Sequence, residues 1–536
     1  MKVIKNTQSL CPGCVEKKKF DSMIIDAFVY EDGGKVWIKK TCPEHGETRE
    51  LYWGDYEMYK KAQKYHDEKG VKLENPQISK KAQEIICPLE CGLCSRHKSH
   101  TALANMVITN RCDLSCWYCF FYQKKGDPVY QPTLAELEKM LRVLRNEKPV
   151  GCNAIQLTGG EPTIREDVVE VVRLCKRLGF DHVQFNTNAI NISKNPELAK
   201  RLVSEGANVF YVSFDGMTPQ SNPKNYWEFP KALENFRAAK AGVVLVPTVI
   251  NGVNDDQLGN IIRFAAGNID VVRAVNFQPV SLVGMMPKEE REKQRITIPD
   301  VAKKIEEQTD GEITADDFYS IPCASRITDF IEELRGGPRY RLSSHFACGV
   351  GTYVFKDGEK LVPISRFVDV DGFFERIEKV TEELKAGKSK TIAQAKLILS
   401  LRKLIDRKAK PKELKFTRIL IDAITRGSYA SLREFHHKSL FLGMMHFMDP
   451  YNYDVERVER CCIHYSLPDG RVIPFCAFNV IPDLYRDKDQ AKYSVHPAEW
   501  EAATGRKLEC DKHKRVIPEG KEAEKIHSFY AKYIKR

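Results

Sequence analysis

Short apolar runs alternate with amphipathic stretches between residues 106 and 279. We predict strands near 106–110, 153–158, 182–187, 209–214, 243–250 and 273–279. Between them, apolar residues recur at helical spacing, for example over 133–146 and 165–178. Strands that alternate with helices favour a parallel sheet with crossover helices. Six such units predict an α/β fold, a partial (βα)6 TIM-like barrel whose functional residues lie at the carboxyl ends of its strands.

The pattern changes on both sides of this region. Before it, two apolar runs around Gly33-Gly34 predict a β-hairpin. After it, a charge-dense linker over 288–295 precedes Pro299, which we expect to open a helix, and helical spacing dominates from there. We therefore predict a β-rich metal-knuckle region over 1–100, a barrel over 101–285 and a mainly helical C-terminal region over 286–536.

Composition indicates a globular protein. Of the 536 residues, 42% are hydrophobic and 29% are charged, and no N-terminal stretch has the layout of a signal peptide. The longest apolar run, 241–250, is too short to cross a bilayer, so we expect a cytoplasmic protein. The net charge of +11 could serve nucleic acid, but no basic patch is interleaved with aromatic residues, and we expect no nucleic-acid partner.

Seventeen cysteines in a cytoplasmic protein are better explained as metal ligands than as disulfides. Cys112, Cys116 and Cys119 have the spacing C-x3-C-x2-C directly after the first predicted strand. A [4Fe–4S] cluster normally takes four thiolates, so three leave one iron open to a ligand. A zinc knuckle, or a structural cluster completed by a distant cysteine, is the alternative.

A second motif, Gly159-Gly160-Glu161-Pro162, follows the second predicted strand. Two glycines let the backbone approach a ligand closely, and Glu161 is placed to receive an ammonium group. By itself the motif also fits a turn that opens a helix.

Together with Tyr118, which stands just before the last cysteine, the two motifs resemble the radical S-adenosylmethionine (SAM) superfamily. The resemblance implies a cluster on Cys112, Cys116 and Cys119 that chelates SAM, whose reductive cleavage yields a 5′-deoxyadenosyl radical. It implies that the Gly159-Gly160-Glu161 element holds the amino group of SAM. It also implies that Asn188, Ser213 and Asp215 contact the SAM ribose or carboxylate, and that Asn251 flanks the adenine.

Further cysteines predict further metal sites. Cys11, Cys14 and Cys42 flank the predicted hairpin, as in a zinc-ribbon or rubredoxin-like site for one tetrahedral metal, and His45 could replace one cysteine. Spacing does not separate zinc from iron. Cys152 and Cys175 instead fit ordinary core packing.

Cys87, Cys91 and Cys94 repeat the C-x3-C-x2-C spacing, but no strand precedes them and no Gly-Gly-Glu-Pro follows. We expect an auxiliary cluster there, or a part of the N-terminal metal site, rather than a second SAM cluster. The cysteines after the barrel are Cys323, Cys348, Cys461, Cys462, Cys476 and Cys510. We expect at least one auxiliary [4Fe–4S] cluster among them, with Cys348, Cys461, Cys462 and Cys476 as ligands.

Five segments, 41–46, 97–101, 110–121, 345–349 and 461–465, carry a closer resemblance to one archaeal family. It contains the tetraether lipid synthases and enzymes described as methylating a pterin precursor of methanopterin. The resemblance to the synthases implies three [4Fe–4S] clusters, a rubredoxin-like iron and the coupling of terminal methyl carbons of isoprenoid chains from archaeal diether lipids. The alternative is a radical SAM methyltransferase acting on 7,8-dihydro-6-hydroxymethylpterin. An electron donor such as ferredoxin or flavodoxin is expected in either case.

Two features of the C-terminal third are consistent with a lipid substrate. Leu397, Ile398, Leu401, Leu404 and Ile405 have helical spacing beside Arg402, Lys403, Arg407, Lys408, Lys410, Lys412, Lys415 and Arg418, as in helices that dock on anionic membranes. Residues 441–448 supply adaptable apolar side chains for a chain-binding tunnel. The alternatives are a solvated helix face and a core helix. A lipid-coupling enzyme needs long apolar tunnels and a membrane-facing opening, whereas a pterin methylase needs a compact polar pocket.

Overall fold

A computed structural model describes residues 1–121, 126–287, 289–412, 414, 416, 418, 435 and 438–534. Lys288, the first residue of the predicted linker, and Lys415 of the predicted basic stretch lie outside these residues. Among the described helices, none combines the length and the apolar character that crossing a membrane requires.

The N-terminal region is an antiparallel sheet with the strand order β1-β2-β3-β4. Its strands are β1 (Lys2–Leu10), β2 (Ile24–Asp32), β3 (Lys35–Cys42) and β4 (Gly46–Trp53). Gly33 and Gly34 join β2 to β3 with φ angles of 63° and 74°. A two-residue hairpin turn of this kind needs positive φ at both positions, which glycine adopts without steric cost.

The six predicted barrel strands are present, parallel, and neighbours in chain order. They are β5 (Leu103–Thr109), β7 (Ala154–Gly159), β8 (His182–Thr187), β9 (Val209–Ser213), β10 (Gly242–Val246) and β12 (Val272–Pro279). The intervening helices are Leu134–Arg145, Val168–Arg177, Ile190–Lys194, Pro196–Ser204, Phe229–Ala238 and Leu258–Gly267. The short β6 (Val129–Tyr130) follows the cluster loop.

The predicted strand over 243–250 is interrupted. Pro247 has no N–H to donate, and it separates β10 from the short β11 (Thr248–Val249). The carbonyl of Pro247 still accepts a hydrogen bond from the N–H of Gln278 at 2.9 Å, so the chain stays against β12.

The C-terminal region extends the barrel sheet at both edges. β16 (Ser439–Met445) pairs in parallel with β12, and β17 (Ile463–Ser466) pairs in parallel with β5. The remaining strands are β13 (Tyr319–Ser320), β14 (Gly349–Asp357), β15 (Lys360–Pro363), β18 (Val472–Pro474) and β19 (Ser494–Val495). The apolar stretch over 441–448, expected to line a lipid tunnel, therefore mostly forms an inner strand between β12 and β14.

Helices make up much of the remaining C-terminal region. They are Arg291–Gln294, Ile298–Gln308, Ala324–Arg335, Val370–Lys385, Lys390–Leu404, Val455–Glu459, Phe475–Val480, Arg486–Tyr493, Pro497–Thr504 and Gly520–Ala531. Pro299 is the second residue of its helix, as predicted.

Two sequence interpretations of this region are corrected by packing. On the helix Lys390–Leu404, Leu397 packs with Phe330 and Val380 of neighbouring helices and Leu401 is buried, so these two side chains belong to the core. The predicted linker ends in the protein interior, since Arg295 pairs with Asp449 at 2.6 Å, whereas Glu289, Glu292 and Lys293 are exposed.

Candidate functional site

A cavity of about 250 Å³ lies at the carboxyl ends of the barrel strands. Loops after parallel strands converge at this end of a barrel, so residues distant in sequence meet there. Among the predicted site residues, those in its lining are Cys112, Cys116, Tyr118, Cys119, Gly159, Gly160, Glu161, Asn188 and Ser213. The cavity thus brings together the cluster loop after β5 with the Gly-Gly-Glu-Pro element after β7.

Two of the three cysteines of the cluster loop, Cys116 and Cys119, are close to one positive charge. Burial raises the pKa of Cys116 to about 11, and the nearby ammonium group of Lys224 acts in the opposite direction. Lys224 pairs with Asp215 at 3.2 Å and stands 4.5 Å from the ring centre of Tyr118. The cation helps to stabilise the thiolate forms that metal binding requires.

Close backbone packing explains the two glycines. A Cβ at Gly159 would lie 2.0 Å from the carbonyl oxygen of Thr109, and one at Gly160 would lie 2.0 Å from that of Arg111. The N–H of Gly160 donates to the carbonyl of Thr109 at 2.9 Å, and the N–H of Glu161 donates to that of Arg111 at 2.8 Å. In these contacts the glycines let their segment approach the backbone of the cluster loop. The sequence had instead suggested that they let the backbone approach a ligand.

Glu161 is buried beside a second acid. Its carboxylate accepts hydrogen bonds from the N–H of Asn188 at 2.7 Å and the hydroxyl of Thr187 at 2.8 Å. Burial and the neighbouring Asp113 raise the pKa of Glu161 to about 7. The amide of Asn188 donates to Asp113 at 2.6 Å, and burial raises the pKa of that carboxyl as well. Two buried acids side by side create a local demand for a cation.

Asp215 organises the end of β9. It accepts hydrogen bonds from the hydroxyl of Tyr118 at 2.6 Å and from the N–H of Thr248 at 2.8 Å, in addition to its pair with Lys224. The contacts made by Asp215 are therefore with protein groups, and they position Tyr118 just before Cys119.

Asn251, which was predicted to flank the adenine of SAM, lies outside the cavity lining. Its side-chain amide donates to the carbonyl of Lys293 at 2.7 Å, and Thr248 lines the cavity at this strand end instead. Sequence analysis missed Lys224, which follows no strand directly and belongs to no motif.

Amide and hydroxyl side chains from successive strands also line the cavity: Asn105, Gln156, Thr158, Asn186, Tyr211, Thr248, Asn276 and Gln278. Burial raises the pKa of Tyr211 to about 12, which keeps its phenol neutral. One wall carries Phe447, Phe475 and Tyr465, with the rings of Phe447 and Phe475 stacked at 3.9 Å. Beside Glu161 and Lys224, the cavity therefore combines neutral polar groups with an aromatic wall, and apolar side chains such as Leu114 and Met445 complete its lining.

A separate metal-binding constellation lies in the N-terminal sheet region. Four potential ligand atoms lie within 4.8 Å of one another, one each from Cys11, Cys14, Cys42 and His45. Although burial raises the pKa of Cys42, N–H groups of the turn and the contact with His45 outweigh it and lower that pKa to about 6. Three cysteines and one histidine are a common donor set for structural zinc, so His45 takes the fourth place that sequence analysis left open.

The remaining cysteines form two further groups. Cys87, Cys91 and Cys94 line one small pocket together with Arg96 and His97. Cys348, Cys461, Cys462 and Cys476 lie close enough that their charges act on one another. Burial raises the pKa of Cys476 and of Cys462 to about 12, so both would remain neutral thiols without a metal.

Two cysteines predicted as ligands stand elsewhere. Cys323 lies near the guanidinium of Arg326, which acts on its thiol. Cys510 is exposed on a segment beside the cluster loop. Cys152 and Cys175 are fully buried among apolar side chains.

Comparisons with known proteins agree with this architecture. The Radical SAM superfamily model matches residues 106–265, and the HMPTM N-terminal zinc ribbon domain matches residues 3–54. The chain is 44% identical to the 7,8-dihydro-6-hydroxymethylpterin dimethyltransferase of Methanocaldococcus jannaschii, over 92% of this chain and 97% of that protein.

More distant similarities cover less of the chain. The GTP 3′,8-cyclase of Limosilactobacillus fermentum is 30% identical over 32% of this chain and 53% of its own length. A crystal structure of methylornithine synthase matches 38% of this chain and 63% of its own with a TM-score of 0.31 and 17% identity. The first relative spans almost the whole chain at high identity. The chain therefore belongs to the family of that pterin dimethyltransferase, and it is a radical SAM enzyme with an N-terminal zinc ribbon.

Proposed function

We propose that this enzyme is a radical SAM methyltransferase whose substrate is a dihydropterin of the 7,8-dihydro-6-hydroxymethylpterin type. The observation that carries the proposal is the cavity lining, in which neutral amides and an aromatic wall surround a compact space. Amides suit the hydrogen-bonding edge of a heterocycle, and aromatic rings suit its face. The relative at 44% identity carries the same activity in its name.

Coupling of isoprenoid chains receives less support. Long saturated chains would leave the buried amides without hydrogen-bond partners, which is costly. Most of residues 441–448, on which a tunnel was predicted, form the inner strand β16, and of this segment Met445 and Phe447 line the cavity. Leu397, one of the residues on which a membrane contact was predicted, packs in a helix cluster. The pterin hypothesis therefore replaces the lipid hypothesis as the preferred one.

The residues at the cavity fit the cofactors of the superfamily. Cys112, Cys116 and Cys119 would hold a [4Fe–4S] cluster. Glu161 with Asp113 would accept the ammonium group of SAM, because the two acids are buried and receive hydrogen bonds from the neutral groups of Thr187 and Asn188. When bound, cluster and SAM supply a 5′-deoxyadenosyl radical. Lys224 and Asp215 hold Tyr118 in place beside this site.

The other metal sites follow from the donor sets. Cys11, Cys14, Cys42 and His45 would hold zinc, while the groups at Cys87, Cys91 and Cys94 and at Cys348, Cys461, Cys462 and Cys476 would hold auxiliary [4Fe–4S] clusters. As a radical SAM enzyme the protein needs an electron donor, for which a ferredoxin or a flavodoxin is the proposed partner.

The test is anaerobic turnover of the reconstituted enzyme with reductant and methyl-labelled SAM. A dihydropterin and an archaeal diether lipid are supplied in separate reactions, and products are identified by mass spectrometry. We expect the pterin to gain methyl mass and the lipid to remain unchanged. A lipid product of doubled mass less two hydrogens, with the pterin untouched, would overturn the proposal.

Two variants provide controls for this test. Cys116→Ala removes a proposed cluster ligand and should abolish 5′-deoxyadenosine formation. Cys175→Ala removes a buried cysteine that lies in the apolar core, and it should retain the iron content and the activity of the wild type. If Cys116→Ala still formed 5′-deoxyadenosine, the assignment of the cluster site would be wrong.

A further inference from the structure

Asn105 is a buried amide without a partner. It lies on β5, is 1% exposed, and lines the cavity. Neither its side-chain oxygen nor its side-chain nitrogen has a hydrogen-bond partner among the described residues. Buried polar groups are nearly always paired, because an unpaired amide loses its water without compensation. An exception facing a cavity calls for an explanation.

Neighbouring side chains do not satisfy this amide. Asn105 is in register with Gln156 on one side and with Tyr465 on the other. The amide of Gln184, on the next strand, donates to the side-chain oxygen of Gln156. The side-chain oxygen of Asn186 is also without a partner. Unused hydrogen-bonding capacity therefore lies at both Asn105 and Asn186 in the cavity lining.

The chemistry of the unused groups indicates what they would bind. A carboxamide offers an acceptor oxygen beside a donor nitrogen and carries no charge. It matches a neutral ring edge with an adjacent donor and acceptor, as in a lactam, better than it matches a phosphate or a carboxylate. The aromatic wall near Asn105 includes Tyr465, directly opposite it in register on β17, and Phe475, 5.3 Å from the Tyr465 ring. A flat ring could meet the amide with its edge and this wall with its face.

We propose that Asn105 is a specificity-determining residue, whose amide hydrogen-bonds the amino-oxo edge of the pterin ring. This inference rests on the proposed function and adds the group that selects the substrate. A site built to hydrogen-bond a polar edge rejects ligands without it, because its own groups then stay unpaired. Asn105 would thus exclude a saturated chain from the cavity as well as admit a pterin.

The decisive variant is Asn105→Leu in the full-length reconstituted enzyme with SAM bound. The affinity for 7,8-dihydro-6-hydroxymethylpterin is measured anaerobically by calorimetric titration, and the thermal midpoint by scanning calorimetry. We expect binding to weaken roughly 10- to 100-fold, because the pterin edge loses its partner. We also expect the thermal midpoint to rise, since the substitution removes an unpaired buried amide.

Asn235 supplies the matched control. It is also a buried asparagine, but its amide donates to the carbonyl of Ile192 at 2.8 Å, away from the cavity. Asn235→Leu should lower the thermal midpoint and leave pterin affinity unchanged. If Asn105→Leu does not fold, Asn105→Ala, which adds no volume, tests the same loss of binding.

The outcomes separate the two proposals. If the wild type binds the pterin and Asn105→Leu binds it equally well, the role of Asn105 is overturned while the proposed function stands. A lower thermal midpoint in Asn105→Leu, with affinity unchanged, would also overturn that role, because it would make the amide a structural group. If the wild type itself does not bind the pterin, both proposals fail.

Discussion

At the scale of single residues, the ionisation of Glu161 predicts how SAM binding depends on pH. Its pKa of about 7 in the folded enzyme exceeds the ordinary glutamate value because of burial and Asp113. The protonated acid cannot pair with an ammonium group. We therefore expect SAM affinity to rise with pH, by up to about tenfold per unit below pH 7, and to level off near about pH 7.5. It should fall again as the α-amino group of free SAM loses its proton above about pH 8.

Equilibrium dialysis of SAM between pH 6 and 8.5 checks this dependence. Glu161→Gln should bind SAM weakly, with a flatter pH profile. Glu147→Gln is the matched control, because Glu147 is another buried acid whose pKa burial raises to about 7, outside the cavity lining. The control should keep the wild-type profile. A wild-type affinity that does not change with pH would contradict the role given to Glu161.

The same scale shows what the sequence could and could not predict about the site. Cys112 and Glu161 belong to motifs with fixed spacing, so local order was enough to find them. Lys224 acts through Asp215, to which it is joined only by the fold. Asn105 stands just before the predicted strand 106–110 and was not singled out, because its importance comes from the absence of a partner among the described residues. No sequence pattern reports which buried groups remain unpaired.

At the scale of elements, local periodicity predicted the barrel strands because each is a run of buried residues followed by a helix. It did not predict β17, which has four residues and pairs with β5 more than 350 positions earlier. Nor did it predict β16 as a strand, since a buried apolar run fits several structures equally well. Such strands form because the edge strands of the barrel sheet offer unpaired backbone groups, and the sheet exists only once the rest of the chain has folded.

One C-terminal segment has a predictable effect on the cluster loop. Asp511 pairs with the buried Arg111 at 2.9 Å, and the N–H of His513 donates to the carbonyl of Asp113 at 2.9 Å. Asp511→Asn removes one charge of this pair, although Arg111 keeps its contact with Glu166 at 3.0 Å. We expect the segment to open more easily by about 1–2 kcal/mol, less than for a wholly unpaired buried charge.

Hydrogen exchange of the amides in residues 508–515 measures this opening. Protection of the His513 amide should fall roughly 10-fold in Asp511→Asn, because a free energy of about 1.4 kcal/mol, within this range, corresponds to a factor of 10. Lys507→Ala breaks the exposed pair with Glu501 just before this segment and should leave the protection unchanged. Equal protection in Asp511→Asn and the wild type would mean that the Arg111–Asp511 pair does not hold the segment.

At the scale of the whole molecule, the zinc ribbon is joined to the C-terminal cysteine group through Asp454. This fully buried carboxylate accepts hydrogen bonds from Lys5 at 2.9 Å, Thr7 at 2.7 Å and Tyr52 at 2.8 Å, all from the N-terminal sheet. The helix that follows, Val455–Glu459, leads directly to Cys461 and Cys462. Loss of the ribbon fold would leave Asp454 buried without its cation, which is strongly destabilising.

Cys42→Ser should therefore destabilise the whole enzyme and not the ribbon alone. We expect the zinc content to fall from one ion per chain to none, because a structural zinc site needs its fourth ligand. The main calorimetric transition should stay single and move down by about 5 °C or more. Cys175→Ser, in the apolar core, should keep the zinc. A separate ribbon transition, with the main one unmoved, would show instead that the ribbon folds independently and that the Asp454 contacts do not couple it to the C-terminal cysteines.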